Sequence, residues 1–372
     1  MAYYFHRTRL DISYILRREA AFRRYNTTIE GWKGARFGPV NASRPIATAK
    51  MDDAAREGDK IVLLDAVWSP YRLDALAQYR RKGLKVFAFI YDMIPAMMPI
   101  LAENNIGFFF HDWLLKSRER VEHFIAIPAS CRADYLKFFG EQGDASSVCV
   151  LPLAKTRLET AGAVAKSSAA TGVSASRFPA LHEIAEVSQP VREAAFAPFV
   201  LCVGTIEGRK NGWRLLVAWK SIIDAGLADL PRLVFVGRPG WCSSALRDFL
   251  EGTGNLYGYV TMLDSPSDED LAFLYRRCQF LAMPSLYEGW GLPVGEALSY
   301  GKTAVVANVS SLPEVGGDLV EYCDPDSIAS IRAAVMRLVF EPGRREELEA
   351  RIAKAELRDW DDVARDLLNI LN

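Results

Sequence analysis

The sequence predicts an α/β protein of two Rossmann-like, doubly wound domains facing a central cleft, on three observations. Short apolar runs alternate with helix-like segments from Lys60 onward, and a second alternating series begins at Phe199. Between them, residues 154–198 are rich in Ala, Ser and Thr and break the pattern. Two successive series, each the size of a domain, imply two parallel sheets, and ligands of such folds sit at the carboxyl ends of the strands.

The first series comprises Ile61–Trp68, Val86–Tyr91, Phe124–Ile127 and Val148–Leu153. Each run is too short for a helix and too continuously apolar for a half-exposed strand, as expected of parallel strands buried on both faces. Between the first two, Tyr71–Lys82 carries Leu73, Leu76, Ala77 and Tyr79 and stops at Gly83, the pattern of a crossover helix. The second series comprises Phe199–Thr205, Leu233–Gly237, Leu256–Val260, Phe280–Pro284, Ala304–Asn308 and Val320–Cys323. Helices are expected over Trp213–Ile223, Asp268–Arg277 and Pro293–Tyr300, and one short helix near Leu181–Glu186 in the connection. The expected division is therefore a first domain over 1–153, a connection over 154–198, a second domain over 199–355 and a terminal segment over 356–372.

Composition narrows the function classes. Half the residues are apolar and 24% are charged, which marks an ordinary globular chain. Lys plus Arg (45) balances Asp plus Glu (46), so no global field attracts a polyanion and no nucleic acid partner is expected. The cysteines (Cys131, Cys149, Cys202, Cys242, Cys278 and Cys323) form no Cys-x-x-Cys pair, and no secretory signal is read at the N-terminus. Reduced thiols in a cytoplasmic protein are the expectation. The four histidines are scattered, so no metal is expected. The most apolar stretch, Val86–Ala102, is interrupted by Asp92, Pro95 and Pro99 and does not read as a membrane span. In the first 57 residues, Tyr14, Ile15, Leu16, Phe22 and Tyr25 interleave with Arg17, Arg18, Arg23 and Arg24. Two readings stay open there: a segment in peripheral contact with anionic lipid at the inner membrane face, or a solvated helix of the first domain.

The stretch Pro284-Ser285-Leu286-Tyr287-Glu288-Gly289-Trp290-Gly291-Leu292-Pro293-Val294-Gly295-Glu296 follows an apolar run and contains Pro293, a residue suited to the first turn of a helix. Gly289 and Gly291 let a backbone approach a bulky anion, and a helix start presents N–H groups to it, so the stretch reads as a phosphate cradle. Carboxylates accept hydrogen bonds from neighbouring hydroxyls, and Glu288 on the loop and Glu296 in the helix are expected to reach one pocket from different depths. A second turn, Gly204-Thr205-Ile206-Glu207-Gly208-Arg209-Lys210-Asn211, also follows a strand. Lys210 first, and Arg209 second, would stabilise the charge that builds on a departing diphosphate.

These stretches, with Val236-Gly237-Arg238-Pro239-Gly240-Trp241 and Pro313-Glu314-Val315-Gly316-Gly317, resemble the donor domain of family 4 retaining glycosyltransferases of the GT-B fold, mannosyltransferases among them. The similarity runs from about Phe199 to Pro325. It implies that Glu288 lies near the donor sugar and belongs to catalysis, that Glu296 binds the nucleotide ribose, and that Arg209 and Lys210 contact the diphosphate. Gly204, Gly289, Trp290, Gly291, Leu292, Tyr259 and Val260 complete the expected donor-binding set. Tyr91-Asp92-Met93-Ile94-Pro95 resembles the family's His-Asp-x-x-Pro loop, which makes Tyr91 and Asp92 catalytic candidates. Tyrosine replaces a histidine there and does not titrate near neutral pH. Ser130 matches an acceptor-side position. A second departure lies near the N-terminus, where Arg9-Leu10-Asp11-Ile12-Ser13 is followed by no glycine until Gly31. Trp360–Leu371 resembles the terminal helix that in this fold crosses back to the first domain.

The resemblance implies sugar transfer, with mannose from GDP-mannose first and rhamnose, glucose or N-acetylglucosamine donors next, from a nucleotide sugar to a glycan or lipid-linked hydroxyl in surface polysaccharide synthesis. Retention follows from the resemblance, through an oxocarbenium-like, same-face substitution assisted by the leaving phosphate. No cofactor is expected, because Lys210, Arg209 and helix N–H groups would take the place of a metal. Two other classes come into question. A dinucleotide oxidoreductase needs a Gly-x-Gly-x-x-Gly turn after a strand, and none is present. A non-catalytic sugar-nucleotide-binding or assembly subunit is the alternative that Tyr91 and the altered N-terminus leave open.

Overall fold

A computed structural model describes residues 57–64, 70–101, 106–156 and 187–372. The arginine-rich segment over 14–25, the Gly31 region, residues 65–68 of the first apolar run and the helix expected near 181–186 lie outside the described residues.

The first sheet contains β1 (Lys60–Leu63), β2 (Lys85–Ile90), β3 (His123–Ala126) and β4 (Val148–Val150), all parallel in the order β1-β2-β3-β4. Among the described residues they are accompanied by helices α1 (Pro70–Arg81), α2 (Ile94–Met97), α3 (Ile106–Ser117) and α4 (Ala129–Phe139). Alternation along β2 assigns its side chains to two cores. Val86, Ala88 and Ile90 pack with Phe110, Trp113 and Leu114 of α3 and Tyr135 of α4, whereas Phe87 and Phe89 join a core continuous with the second domain. A strand buried on both faces carries no polar alternation, which is why these runs read as continuously apolar.

The second sheet contains β5 (Phe199–Val203), β6 (Arg232–Val236), β7 (Val260–Leu263), β8 (Leu281–Met283), β9 (Ala304–Ala307) and β10 (Glu321–Cys323). Its order, β10-β9-β8-β5-β6-β7, is parallel throughout and reverses direction between β5 and β8. This is the doubly wound order, and its switch point is where such sheets open a crevice at the strands' carboxyl ends. The two motif loops leave the carboxyl ends of these two strands, at Gly204 and at Pro284.

The accompanying helices are α5 (Gln189–Ala194), α6 (Gly212–Asp224), α7 (Ser244–Gly252), α8 (Asp268–Arg277), α9 (Leu292–Ser299), α10 (Leu312–Gly316), α11 (Ile328–Phe340), α12 (Arg344–Ile352) and α13 (Trp360–Leu371). Residues from Val187 onward pack with the second domain, where Ser188 N–H donates to Asp270 Oδ1 at 2.9 Å. Helix α13 opens with an Asp359/Asp362 capping box and buries Trp360, Val363, Leu367 and Leu371, one stripe at helical spacing. Just before it, Arg358 Nε donates to Pro152 O at 3.1 Å, and Lys155 N–H donates to Arg358 O at 2.8 Å. Among the described residues, all six cysteines are free thiols and no helix is long and apolar enough to cross a membrane.

One strand departs from expectation. The run Leu256–Val260 is a turn that leads into β7, which begins only at Val260. Leu256 and Tyr257 have φ of 53° and 56°, and Leu256 is fully buried. Its apolarity serves the packing of a turn rather than a strand, a distinction that periodicity over a few residues does not make.

Candidate active site

The two sheets meet at a cleft of about 670 Å³ at the β5/β8 switch point. The first domain contributes Tyr91 and Asp92 after β2. The second contributes Gly204, Arg209 and Lys210 after β5, and Glu288, Gly289, Trp290, Gly291 and Leu292 after β8.

Its charged centre is Glu288, which is 5% exposed. Oε1 lies 2.7 Å from Lys210 Nζ and Oε2 lies 2.9 Å from Arg209 NH1. The main chain of Glu288 is fixed as well, because its N–H donates to Ser310 Oγ at 2.9 Å and its carbonyl accepts from Ser311 Oγ at 3.0 Å. Arg209 also pairs with Glu207 and donates to Tyr287 O, so its guanidinium has three acceptors in a fork. Burial alone would raise the Glu288 pKa, but Arg209 and Lys210 outweigh it and hold it at about 2. Burial works against the Arg209 charge, while Glu288 and Glu207 prevail and raise its pKa. For Lys210, burial prevails and lowers the pKa, although Glu288 opposes it.

Asp92 faces this cluster from the other domain. Burial raises its pKa to about 6 against the opposing pull of Arg209 and the Ile94 N–H, which donates to Oδ1 at 3.0 Å. A Cβ on Gly289 would approach both the Asp92 Cβ and the Tyr91 carbonyl oxygen to 3.0 Å, so glycine is what lets the domains close here. Gly291, at φ 92°, precedes the first turn of α9, which takes no side-chain cap. A Cβ on Gly204 would lie 3.2 Å from Lys210 Cε, so the lysine stem runs across that glycine.

The remaining expected residues have partners of their own, some in the cleft and some outside it. Tyr91 lines the cleft, but its hydroxyl donates to Leu64 O at 2.5 Å, toward the end of β1. Glu296 does not line the cleft with Glu288. One turn further along α9, its Oε2 accepts from Tyr275 OH at 2.7 Å, and the Tyr275 ring stacks on Tyr300. Tyr259 and Val260 are not in the cleft either. They sit at the amino end of β7, opposite the carboxyl ends that bind ligands, and contribute to a core cluster. Ser130 lies in the first turn of α4, where its N–H donates to Glu314 Oε1 at 3.0 Å and its Oγ is buried with no protein partner. Trp290 lines the cleft while its indole N–H donates to Ala154 O at 3.3 Å.

Sequence reasoning passed over Glu207, although it lies in the quoted turn. It is 4% exposed and holds Arg209, and its only signal was a charged residue two positions from another charge. Ser310 and Ser311 gave no local signal.

Comparison with known proteins bears on the fold and on the second domain. Residues 185–356 match the model of the family described as glycosyl transferases group 1. Over 178 residues, 48% of this chain, it is 34% identical to O-antigen chain mannosyltransferase B of Escherichia coli, of which the match covers 46%. Over 285 residues, 75% of this chain, it is 27% identical to a serotype-specific mannosyltransferase WbdA of Escherichia coli, of which the match covers 32%. The chain thus spans less than half the length of these curated relatives. Among solved structures, an α,α-trehalose-phosphate synthase (UDP-forming) from Burkholderia xenovorans superposes with a TM-score of 0.62 at 12% identity, over 86% of this chain and 74% of that one. HepE of Anabaena in complex with UDP superposes with a TM-score of 0.59 at 12% identity, over 84% and 78%. At such identities the likeness is one of fold, and it joins the two parallel sheets and the cleft between them in one conclusion: the chain has the GT-B fold, and over residues 185–356 it is similar to the glycosyl transferases group 1 family.

Proposed function

We propose that this protein transfers a sugar, mannose foremost, from a nucleoside diphosphate to a hydroxyl of a glycan or lipid-linked acceptor in surface polysaccharide synthesis. The single observation that carries the reading is the Arg209–Glu288–Lys210 cluster at the switch point of the second sheet. A departing nucleoside diphosphate gains negative charge as its glycosidic bond breaks. Cations already ordered where that charge appears lower the barrier without reorganising. The diphosphate is placed at the start of α9, beside Gly289 and Gly291, with Lys210 as its main cation and Arg209 behind it. Glu288 is ionised at neutral pH, so it orients the two cations rather than donating a proton. Asp92 is the carboxylate that reaches the sugar from the first domain.

Retention of configuration is part of the proposal, by substitution on the face from which the diphosphate departs. The names of the curated relatives, O-antigen chain mannosyltransferase B and serotype-specific mannosyltransferase, support mannose as the sugar and a polysaccharide as the product. The protein would act at the cytoplasmic face of a membrane and without a metal. The test is a thermal-shift screen of GDP, UDP, dTDP and ADP, followed by transfer assays with the matching nucleotide sugars in excess chelator. A rise in melting temperature selective for GDP, with chelator-resistant mannose transfer, is the expected result. Activity that chelator abolishes and a divalent metal restores would overturn the metal-free part, and nucleotide binding without transfer to any hydroxyl acceptor would favour a binding subunit.

A further inference from the structure

The second domain grips the first at one place that the donor chemistry does not use. Helix α10 follows β9, and its Glu314 reaches across to the first turn of α4. There Oε2 accepts from Ala129 N–H at 2.8 Å and Oε1 accepts from Ser130 N–H at 3.0 Å. The first N–H groups of a helix have no partner within it, and Pro128, which precedes α4, offers no side-chain cap. A carboxylate from the other domain therefore caps α4. One turn further along the same helix, Asp134 accepts from the Tyr287 hydroxyl, a second contact from the second domain.

Both contacts lead directly to Glu288. Tyr287 is its neighbour in the chain. Ser310 and Ser311, which hold the Glu288 N–H and carbonyl, lie immediately before α10, and Ser311 is its N-cap position. The loop that carries Glu288 and the helix that carries Glu314 are thus one hydrogen-bonded unit, and that unit is clasped to α4.

We propose that Glu314 is a positioning residue for sugar transfer: by capping α4 across the cleft, it fixes the closed arrangement in which Asp92 and Glu288 face one donor. The inference rests on the function proposed above. It separates two properties that a residue inside the donor site would lose together. Nucleoside diphosphate binding draws on the second domain and does not need the clasp, whereas transfer needs both domains in register. A misplacement of about 1 Å at a reacting centre costs roughly 100-fold in rate.

The test uses the full chain and three substitutions. Glu314→Ala removes the cap. Ala129→Pro removes one of the two donors from the other side, at the first helical position, where proline fits. Tyr287→Phe removes the second contact. The readouts are the GDP dissociation constant, the radius of gyration from solution scattering, and kcat and KM for transfer. For Glu314→Ala the expected results are a melting temperature and GDP affinity near wild type, a larger radius of gyration, and a kcat lower by roughly 10- to 100-fold. Ala129→Pro should move in the same direction by less, and Glu314→Ala combined with Tyr287→Phe should open the molecule further. Unchanged compactness and kcat in Glu314→Ala would overturn the proposal, as would a loss of GDP affinity equal to the loss of kcat. If Glu314→Ala fails to fold, Ala129→Pro is read in the same way, and either of those two results in it would overturn the proposal equally. If the wild-type chain transfers no sugar at all, the proposed function fails, while scattering and GDP binding still decide the clasp.

Discussion

Lys210 Nζ and Glu288 Oε1 lie 2.7 Å apart, although 78 residues separate them in the chain. The pair bridges the loops that leave β5 and β8, the two strands on either side of the reversal in sheet order. A negative charge that enters the cleft competes with Glu288 for Lys210, so nucleotide binding and the stability of this pair are linked.

Removing Glu288 should make that linkage visible. Glu288→Ala leaves one arm of the buried Arg209, and the half-buried Lys210, without a carboxylate, and breaking a buried pair costs about 3–5 kcal/mol. The variant should melt below wild type and lose turnover. A nucleoside diphosphate, which resupplies negative charge, should raise its melting temperature by more than it raises that of wild type. An equal rise in both proteins would show that the diphosphate does not meet these cations.

The two carboxylates that face each other across the cleft should respond to pH with opposite sign. Asp92 has a folded pKa of about 6 against an ordinary value of 3.8. It favours the folded state below pH 4, and that contribution is lost as pH rises through 6. Glu288 has a folded pKa of about 2 against 4.5. Its contribution is present above pH 4.5 and is lost as pH falls toward 2. Asp92→Asn should therefore raise the melting temperature at pH 7.5, with a gain that shrinks as pH falls from about 6 to 4. If Asp92 acts as the ionised group in transfer, wild-type activity should fall in the same window. A melting temperature of Asp92→Asn that tracks wild type in parallel across that range would contradict the raised pKa.

Most of this architecture was legible in the sequence, for a physical reason. Parallel strands buried on both faces leave apolar runs such as Phe199–Val203 and Ala304–Ala307, and helix α8 has the bounds that its periodicity predicts, Asp268–Arg277. The loops that carry Arg209, Lys210 and Glu288 were legible because each follows an apolar strand and carries glycines, whereas the pairing of their charges across 78 residues was not. What joins the domains was not. The Glu314 contacts with Ala129 and Ser130 span 185 and 184 residues, and the contact between Tyr287 and Asp134 spans 153. The same holds for Trp241, whose indole N–H donates to Leu101 O at 2.7 Å from 140 residues away. No local pattern encodes such pairs. The Glu296 partner was hidden for a related reason, since helical spacing gives its position on α9 but not the tyrosine on α8 that donates to its carboxylate.

Close backbone approach between the β5 and β6 loops should make one glycine indispensable. Gly237 has φ 153°, and a Cβ there would collide with the carbonyl oxygen of Gly204, which is backbone and cannot swing aside. Gly237→Ala should therefore displace the Gly204 turn and with it Lys210, abolishing nucleoside diphosphate binding or soluble expression. Gly252 ends α7 with no atom within 4 Å of an added Cβ. Gly252→Ala should be neutral or stabilising, by about 0.5–1 kcal/mol. Thermal melts of both variants with and without GDP check the contrast, and a Gly237→Ala protein that melts and binds as wild type would refute the collision.

The two neighbouring cations should prove unequal. Arg209 is 3% exposed and divides its guanidinium among Glu288, Glu207 and the Tyr287 carbonyl, a fork that the single ammonium of lysine does not reproduce. Lys210 has one partner in Glu288 and a side chain 20% exposed toward the cleft. Arg209→Lys should therefore cost stability first, about 3–5 kcal/mol if two of its three contacts are lost, with activity falling alongside. Lys210→Ala should cost less stability than Arg209→Lys, because Glu288 keeps Arg209 as a partner, yet lower kcat by about 100- to 1000-fold, the loss seen when a preorganised transition-state partner is removed. Unfolding by urea, read beside kcat for each variant, separates the two cases. If Lys210→Ala lost as much stability as Arg209→Lys, or kept its kcat, then Lys210 would belong to the frame of the site and the charge on the leaving diphosphate would have to be met by Arg209.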